Sequence, residues 1–213
     1  MKRARVLVAD DHRILAEGLR SLLEPEFELV DIVEDGRTLV TRARELSPDV
    51  IVADITMPLL NGIEAVRQLK KADIPAKVVF LTMHQDVTYA AKAFELGASG
   101  FVLKHSAPSE LVTAIREALA GRTYVTPLIA GELMQAYRES AARGQDPAVD
   151  LTPRQREALQ LFAEGRSAKE VAAILQISPR TAEFHKASIM KMLGIRTNAE
   201  LAQYAVRHGI IAS

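Results

Sequence analysis

The sequence predicts a doubly wound α/β domain built on a five-stranded parallel sheet, followed by a small all-α domain. Three observations carry this prediction. Short β-branched or apolar runs alternate with stretches of helical spacing through residues 1–120. Those runs are apolar almost throughout, as strands covered on both faces are. Beyond Asp150 no such run remains, and every segment carries helix start or stop signals.

The strands are read, in order, in "RVLVADD", "ELVDIVED", "DVIVADI", "KVVFLTM" and "GFVLK". Between them lie helical faces: Ile14, Leu15, Leu19, Leu22 and Leu23, then residues 39–46, 63–69, 90–96 and 111–119. From Gly121 to Asp150 the pattern weakens. "TPLIAGELMQAYRESAA" reads as one amphipathic helix with Leu128, Leu133, Met134 and Tyr137 as its face, and "RGQDPAVD" as a linker. The expected organisation is therefore a first domain over 1–122, a linker with a helix over 123–148, and a second domain over 149–213.

In that second domain Thr152-Pro153 starts a helix that Gly165 stops. Ser167 starts the next, and Glu170 three residues on completes a capping box. Ser178-Pro179 opens a third after the short turn "QIS". Helices are expected over residues 153–163, 168–175, 179–193 and 198–208, and two short helices joined by so tight a turn form a helix-turn-helix.

Composition narrows the class. The chain has 213 residues, 48% hydrophobic and 25% charged, as in an ordinary globular protein. It has no cysteine, which excludes disulfides and thiolate metal sites and suits a reducing cytosol. The start "MKRARVLVADD" is too short in apolar residues for a signal-peptide core, and no run is long enough to span a membrane. A cytoplasmic protein without membrane contact is expected. The formal net charge is zero, yet residues 150–213 hold nine Lys and Arg against six Asp and Glu, so the front is acidic and the back basic.

The candidate chemistry begins at "VIVADITMPLLNG", residues 50–62, where a buried strand ends on Asp54. In a parallel α/β sheet, ligands bind beyond the carboxyl ends of the strands. Those ends bring Asp10 and Asp11, Asp54, Thr82 and Lys104 to one rim. Taken singly, Asp10 or Asp11 reads as a helix cap, Thr82 as a loop residue and Lys104 as a surface lysine. Together they form a set in which three carboxylates require a hard cation, most plausibly Mg²⁺. Thr82 and Lys104 would then bind phosphoryl oxygens, with the Asp54 carboxylate as the nucleophile.

In the third helix of the back domain Ala182, His185, Ile189 and Leu193 recur at one-face spacing, so His185 is expected as a packed core histidine. Phe184 falls off that stripe, where a thymine methyl in a DNA major groove is one partner and a protein surface the other. Lys169, Arg180, Lys186 and Lys191 are candidate phosphate contacts, Glu183 a candidate acceptor from cytosine, and Thr181 and Ala187 share the outward face.

Asp10-Asp11, Asp54 with Met57-Pro58 and Gly62, Thr82 and Lys104 resemble the receiver domain of two-component response regulators, over about residues 4–120. The resemblance implies a flavodoxin-like fold and an Asp54 phosphoacceptor served by a histidine kinase. It implies Mg²⁺ held by Asp10, Asp11, Asp54 and the backbone carbonyl of Thr56, and switch positions at Thr82 and Phe101. Two features depart from the pattern. His105 stands where many receivers have a cis proline, so a trans bond is expected after Lys104. Phe101 lacks the hydroxyl of the commoner tyrosine. Thr56 and His84 flank the pocket and are expected to tune phosphoryl lifetime.

Residues 149–211 resemble the LuxR-type helix-turn-helix, and both halves together resemble a NarL/FixJ-type regulator. This implies that residues 179–193 are the recognition helix for double-stranded DNA, and that the last helix packs a homodimer promoted by phosphorylation. The function expected is a phosphorylation-switched transcription regulator rather than a turnover enzyme. From the residues alone, a metal-dependent phosphohydrolase and a phosphate-independent binding module stay open.

Overall fold

A computed structural model describes residues 3–83, 85, 87–143 and 151–211. The predicted domain boundary at 144–150 and His84 lie outside these residues. The chain runs β1 (Arg5–Ala9), α1 (Arg13–Leu23), β2 (Glu28–Val33), α2 (Gly36–Leu46), β3 (Val50–Ala53), α3 (Gly62–Lys71), β4 (Lys77–Thr82), α4 (Val87–Glu95), β5 (Gly100–Leu103), α5 (Ala107–Leu119) and β6 (Tyr124–Val125). A long helix, α6 (Pro127–Arg143), follows, and then α7 (Pro153–Ala163), α8 (Ala168–Leu175), α9 (Pro179–Leu193) and α10 (Asn198–Arg207).

All strands pair in parallel, in the order β2-β1-β3-β4-β5-β6. The five predicted strands are present, and β6 adds a sixth that the sequence reading did not anticipate. Its two residues are too short a run to announce a strand. It forms because Gly121, at φ +76°, turns the chain back after α5 so that Thr126 N donates to Phe101 O.

Because strand side chains alternate faces, β1 sends Leu7 and Ala9 into one core and Val6 and Val8 into the other. The first core is closed by α2, α3 and α4, the second by α1 and α5. Each fully buried Leu, Ile, Val or Phe stabilises by about 1.5–3 kcal/mol, which is what makes this sheet a rigid mount for residues at its rim.

Helix α6 corrects the face expected from sequence. Ile129 and Leu133, one turn apart, are its buried pair and join the first core beside Tyr89 and Ala90 of α4. Leu128 and Met134, expected on the buried face, are exposed, at 63% and 58%. The partner decides the face: α6 packs along α4, and only the 129/133 edge meets it. The side chain of Tyr137 lies outside the described residues.

The four helices of the back domain start where expected, three of them at the caps read from the sequence and the fourth at Thr197, which was not read as one. Thr152, Ser167 and Thr197 each form a capping box, and the Ser178 side chain accepts from Thr181 N. Such a cap is typically worth about 1 kcal/mol. Their shared core includes Leu159, Phe162, Val171, Leu175, Ala182, Ile189 and Leu201. No helix among the described residues is long and apolar enough to cross a membrane.

Candidate functional site

The connections reverse direction between β1 and β3, which are neighbours in the sheet. That is the switch point where doubly wound folds leave a crevice at the strand ends. Asp10 follows β1 and Asp54 follows β3, and both are almost fully buried, at 1% and 2% exposure. Their backbones are pinned to adjacent strands: Asp10 N donates to Val33 O at 2.9 Å and Asp54 N to Ala9 O at 2.8 Å.

Lys104 comes off the end of β5 and reaches the same point. Its Nζ lies 2.7 Å from Asp54 Oδ2 and 2.8 Å from Asp10 Oδ2. The first contact is a hydrogen bond, whereas Asp10 Oδ2 is met at ion-pair distance but off the hydrogen-bonding direction, and accepts no other hydrogen bond. The Lys104–His105 bond is trans, as expected, and Lys104 still reaches both acids. Thr82 ends β4, fully buried, and Phe101 is fully buried within β5. Thr56 is half-buried, and its N–H points at Asp54 Oδ1 over 3.4 Å.

Electrostatics at this rim follow from burial. Desolvation pushes the Asp54 carboxyl up to about 6, against the lowering effect of Lys104, with Asp10 adding to the rise. Burial works to lower Lys104, but Asp54 and Asp10 outweigh it and hold the ammonium above its ordinary value. A cation would relieve the remaining repulsion between carboxylates.

Asp10, Asp11, His12 and Asp54 each place one ligand atom within 4.8 Å of the others. Three of the four are carboxylates, the donors a hard divalent ion takes, and Asp10 Oδ2 is buried with a lone pair to offer. The residues present fit Mg²⁺. His12 was missed in the sequence reading: its Nδ1 is 2.9 Å from Asp11 Oδ1, 3.2 Å from Asp10 Oδ1 and 3.4 Å from Lys104 Nζ. Its adjacency to Asp10-Asp11 was the available signal.

The loop beyond Asp54 is shaped by close approach. A Cβ on Gly62 would stand 2.0 Å from the Asp54 carbonyl oxygen, so only glycine fits there. Asn61 caps α3 by accepting from Glu64 N at 2.9 Å. Leu59 lies at φ +67°, a conformation that costs an L residue roughly 1–2 kcal/mol.

The back domain docks against this loop. Gln160 and Glu164 of α7 bond to it, while Arg156 reaches Glu64 of α3 at 2.7 Å and Glu157 pairs with Arg37 of α2 at 2.8 Å. At the other end Gly209, just past α10, sits so close under Tyr89 of α4 that a Cβ would meet its hydroxyl at 1.8 Å. None of these contacts was legible in the sequence, because mid-helix Gln and Glu carry no local signal.

Of the candidate DNA contacts, Lys169, Arg180, Thr181, Glu183, Ala187 and Lys191 are exposed, and Phe184 is 71% exposed. Lys186 is half-buried, its ammonium 5.0 Å from the centre of the Phe162 ring, so it leans back over α7. Ala182 and Ile189 form the buried stripe of α9, whereas His185 and Leu193 are only half-buried at its edge. The outer face of α9 thus carries Arg180 and Lys191 against Glu183, with Phe184 as its one exposed aromatic.

Residues 6–116 match the response regulator receiver domain family, and residues 149–205 match the bacterial regulatory proteins of the luxR family. The transcriptional regulatory protein MctR of Rhizobium johnstonii is 37% identical over 212 residues, 99% of this chain and 96% of its own. Response regulator UvrY of Escherichia coli is 30% identical over 207 residues, 96% of this chain and 94% of its own. Among solved structures, a LuxR-family two-component response regulator from Aurantimonas sp. is 42% identical, covering 64% of this chain and 99% of that one, with a TM-score of 0.61. An RcsB–DNA complex is 27% identical over 95% of this chain and 98% of that one, with a TM-score of 0.60. These matches set aside the phosphohydrolase alternative. The chain belongs to the two-component response regulators that join a receiver domain to a LuxR-type DNA-binding domain, a family of transcription regulators rather than turnover enzymes.

Proposed function

We propose that Asp54 is the phosphoacceptor and that a histidine kinase supplies the phosphoryl group. The observation that carries the reading is the convergence of Asp54, Asp10 and Lys104, with Lys104 Nζ within 2.8 Å of both acids. An Asp54 oxygen attacks phosphorus in line, the bond from phosphorus to the imidazole nitrogen breaks, and the electron pair leaves with that nitrogen. Lys104 then neutralises charge on the transferred oxygens, and the Thr82 hydroxyl donates to one of them. Asp10, Asp11, Asp54 and the Thr56 carbonyl would hold Mg²⁺, which supplies charge neutralisation for the phosphoryl oxygens.

The output is double-stranded DNA, bound in the cytoplasm by homodimers that phosphorylation promotes. Pro179–Leu193 enters the major groove, Phe184 meets base edges, and Lys169, Arg180 and Lys191 contact phosphates. Thr82 and Phe101 act as switch residues: occupancy of Asp54 draws the β4–α4 connection inward and Phe101 repacks.

The test is transfer from a radiolabelled phosphohistidine donor, expected to label the wild type and not Asp54→Asn. Equal labelling of both would overturn the assignment. DNA footprinting of Asp54→Asn separates phosphate control from control by protein contact alone, in which case the footprint would be unchanged.

A further inference from the structure

The edge of the sheet beside Lys104 is completed by a side chain rather than by a strand. We infer that Thr126, oriented by Glu110, is a positioning residue for Lys104, and that its hydroxyl keeps the lysine in reach of Asp54. The inference rests on Asp54 being the phosphoacceptor. It deepens that reading by assigning the placement of the lysine to the junction of β6 and α6.

The ladder at this edge stops one residue short. Tyr124 N and Thr126 N donate to Ser99 O and Phe101 O, both at 3.0 Å, so alternate residues of β5 turn their backbone toward β6. Leu103 is the next in that series. No strand is left to meet it: β6 ends at Val125, and Pro127, with its fixed φ and no N–H, already opens α6. Leu103 is fully buried, and a buried N–H without an acceptor gives up its bond to water for nothing. The Thr126 hydroxyl takes the missing place, accepting from Leu103 N at 3.1 Å.

Glu110 sets the direction of that hydroxyl. Thr126 is almost fully buried, at 1% exposure, and its Oγ1 donates to Glu110 Oε2 of α5 at 2.7 Å. A carboxylate only accepts, so the hydroxyl proton points to α5 and a lone pair is left facing Leu103. Glu110, Thr126 and Leu103 thus form one chain of bonds that joins α5, the start of α6 and the last residue of β5.

Leu103 carries this chain to the site. On its other side it pairs with Thr82 of β4. Lys104 follows directly and opens a tight turn in which Ala107 N donates back to Lys104 O. Its Nζ must then meet two acids at once, 2.7 Å from Asp54 and 2.8 Å from Asp10. A strand end bonded on both edges has little freedom to swing. Bonded to β4 alone, it lets the lysine drift, and a misplacement of about 1 Å is enough to cost a positioned group much of its effect.

The experiment uses the full chain, with beryllofluoride and Mg²⁺ titrated by calorimetry and urea unfolding run in parallel. Thr126→Val, which keeps the shape and removes the hydroxyl, should bind beryllofluoride about fivefold or more weakly than the wild type. Thr126→Ser, which keeps the hydroxyl, should stay within about twofold of the wild type. In metal-free protein labelled at the lysine ε-carbons, the Lys104 NMR signal is identified by its absence in Lys104→Met. It should move in Thr126→Val and stay in place in Thr126→Ser. Should Thr126→Val fail to fold, Glu110→Ala, at a half-buried position, is expected to weaken binding and move the same signal.

Unchanged beryllofluoride affinity or an unmoved Lys104 signal in Thr126→Val, even with a lowered urea midpoint, would overturn the inference and leave Thr126 a residue of the fold alone. Equal loss in Thr126→Ser would do the same. Asp54→Asn must not bind beryllofluoride. If the wild type binds none either, the phosphoacceptor reading fails, and Thr126 is judged on the Lys104 signal alone.

Discussion

Lys104 and Asp54, 50 residues apart in the chain, meet at 2.7 Å in a buried crevice. The pair is bought at the expense of hydration, and burial outweighs the attraction: the Asp54 carboxyl is still raised to about 6. Each of its two protonation states therefore has a different effect on stability.

In metal-free buffer Asp54→Asn should stabilise the protein at pH 7.5. Asp54 rises from 3.8 to about 6 on folding, so the native state holds the proton more tightly than the unfolded chain. Stability falls as pH rises through that window, and the whole cost is present above pH 6. Asparagine removes a charge worth about 3 kcal/mol of penalty. Urea unfolding should show a gain of that order at pH 7.5, fading to nothing below pH 4.

Lys104→Met should act in the opposite sense. It leaves Asp10 and Asp54 buried without their cation, and removing one partner of a buried pair costs about 3–5 kcal/mol. The loss should be largest above pH 7 and shrink toward pH 5, as Asp54 takes up a proton. The same urea series across pH measures it.

Phe184→Ala should separate binding from folding. The side chain is 71% exposed on α9, so its removal should change stability by no more than about 0.5 kcal/mol. On the proposed role of Phe184 at base edges, its removal should weaken binding to operator DNA several-fold while leaving the fold intact. Thermal unfolding and a fluorescence titration with operator DNA are the two readouts.

Gly62→Ala should destabilise the receiver without touching any ionisable group. The new Cβ would stand 2.0 Å from a backbone carbonyl oxygen, which no rotamer change relieves. Overpacking of this kind costs about 1–3 kcal/mol, readable as a lower urea midpoint at unchanged slope.

Much of the fold was legible in the chain. Five strands were announced by apolar runs, and the starts of the first three back-domain helices by Thr152, Ser167 and Ser178 with their neighbouring residues; the Thr197 cap of the fourth was not read. These are local signals, decided by side chain and backbone within one turn. β6 escaped because two residues make no pattern. The face of α6 was misassigned because α4, and not helical periodicity alone, selects Ile129 and Leu133 over Leu128 and Met134. Lys186 was expected to point outward, yet the Phe162 ring draws it back.

The sequence by itself determined the acids, the lysine and the order of elements that brings them to one rim, because strand ends in a parallel sheet converge wherever topology reverses. It also determined the bounds of the third helix of the back domain, 179–193, through the Ser178 cap, Pro179 and the spacing that follows. Only the tertiary structure decided that the helical domain grips the loop beside Asp54. Gln160, Glu164 and Leu59 carry no pattern in the chain, and their meaning comes from backbone groups about 100 residues away that their docking alone brings within bonding distance.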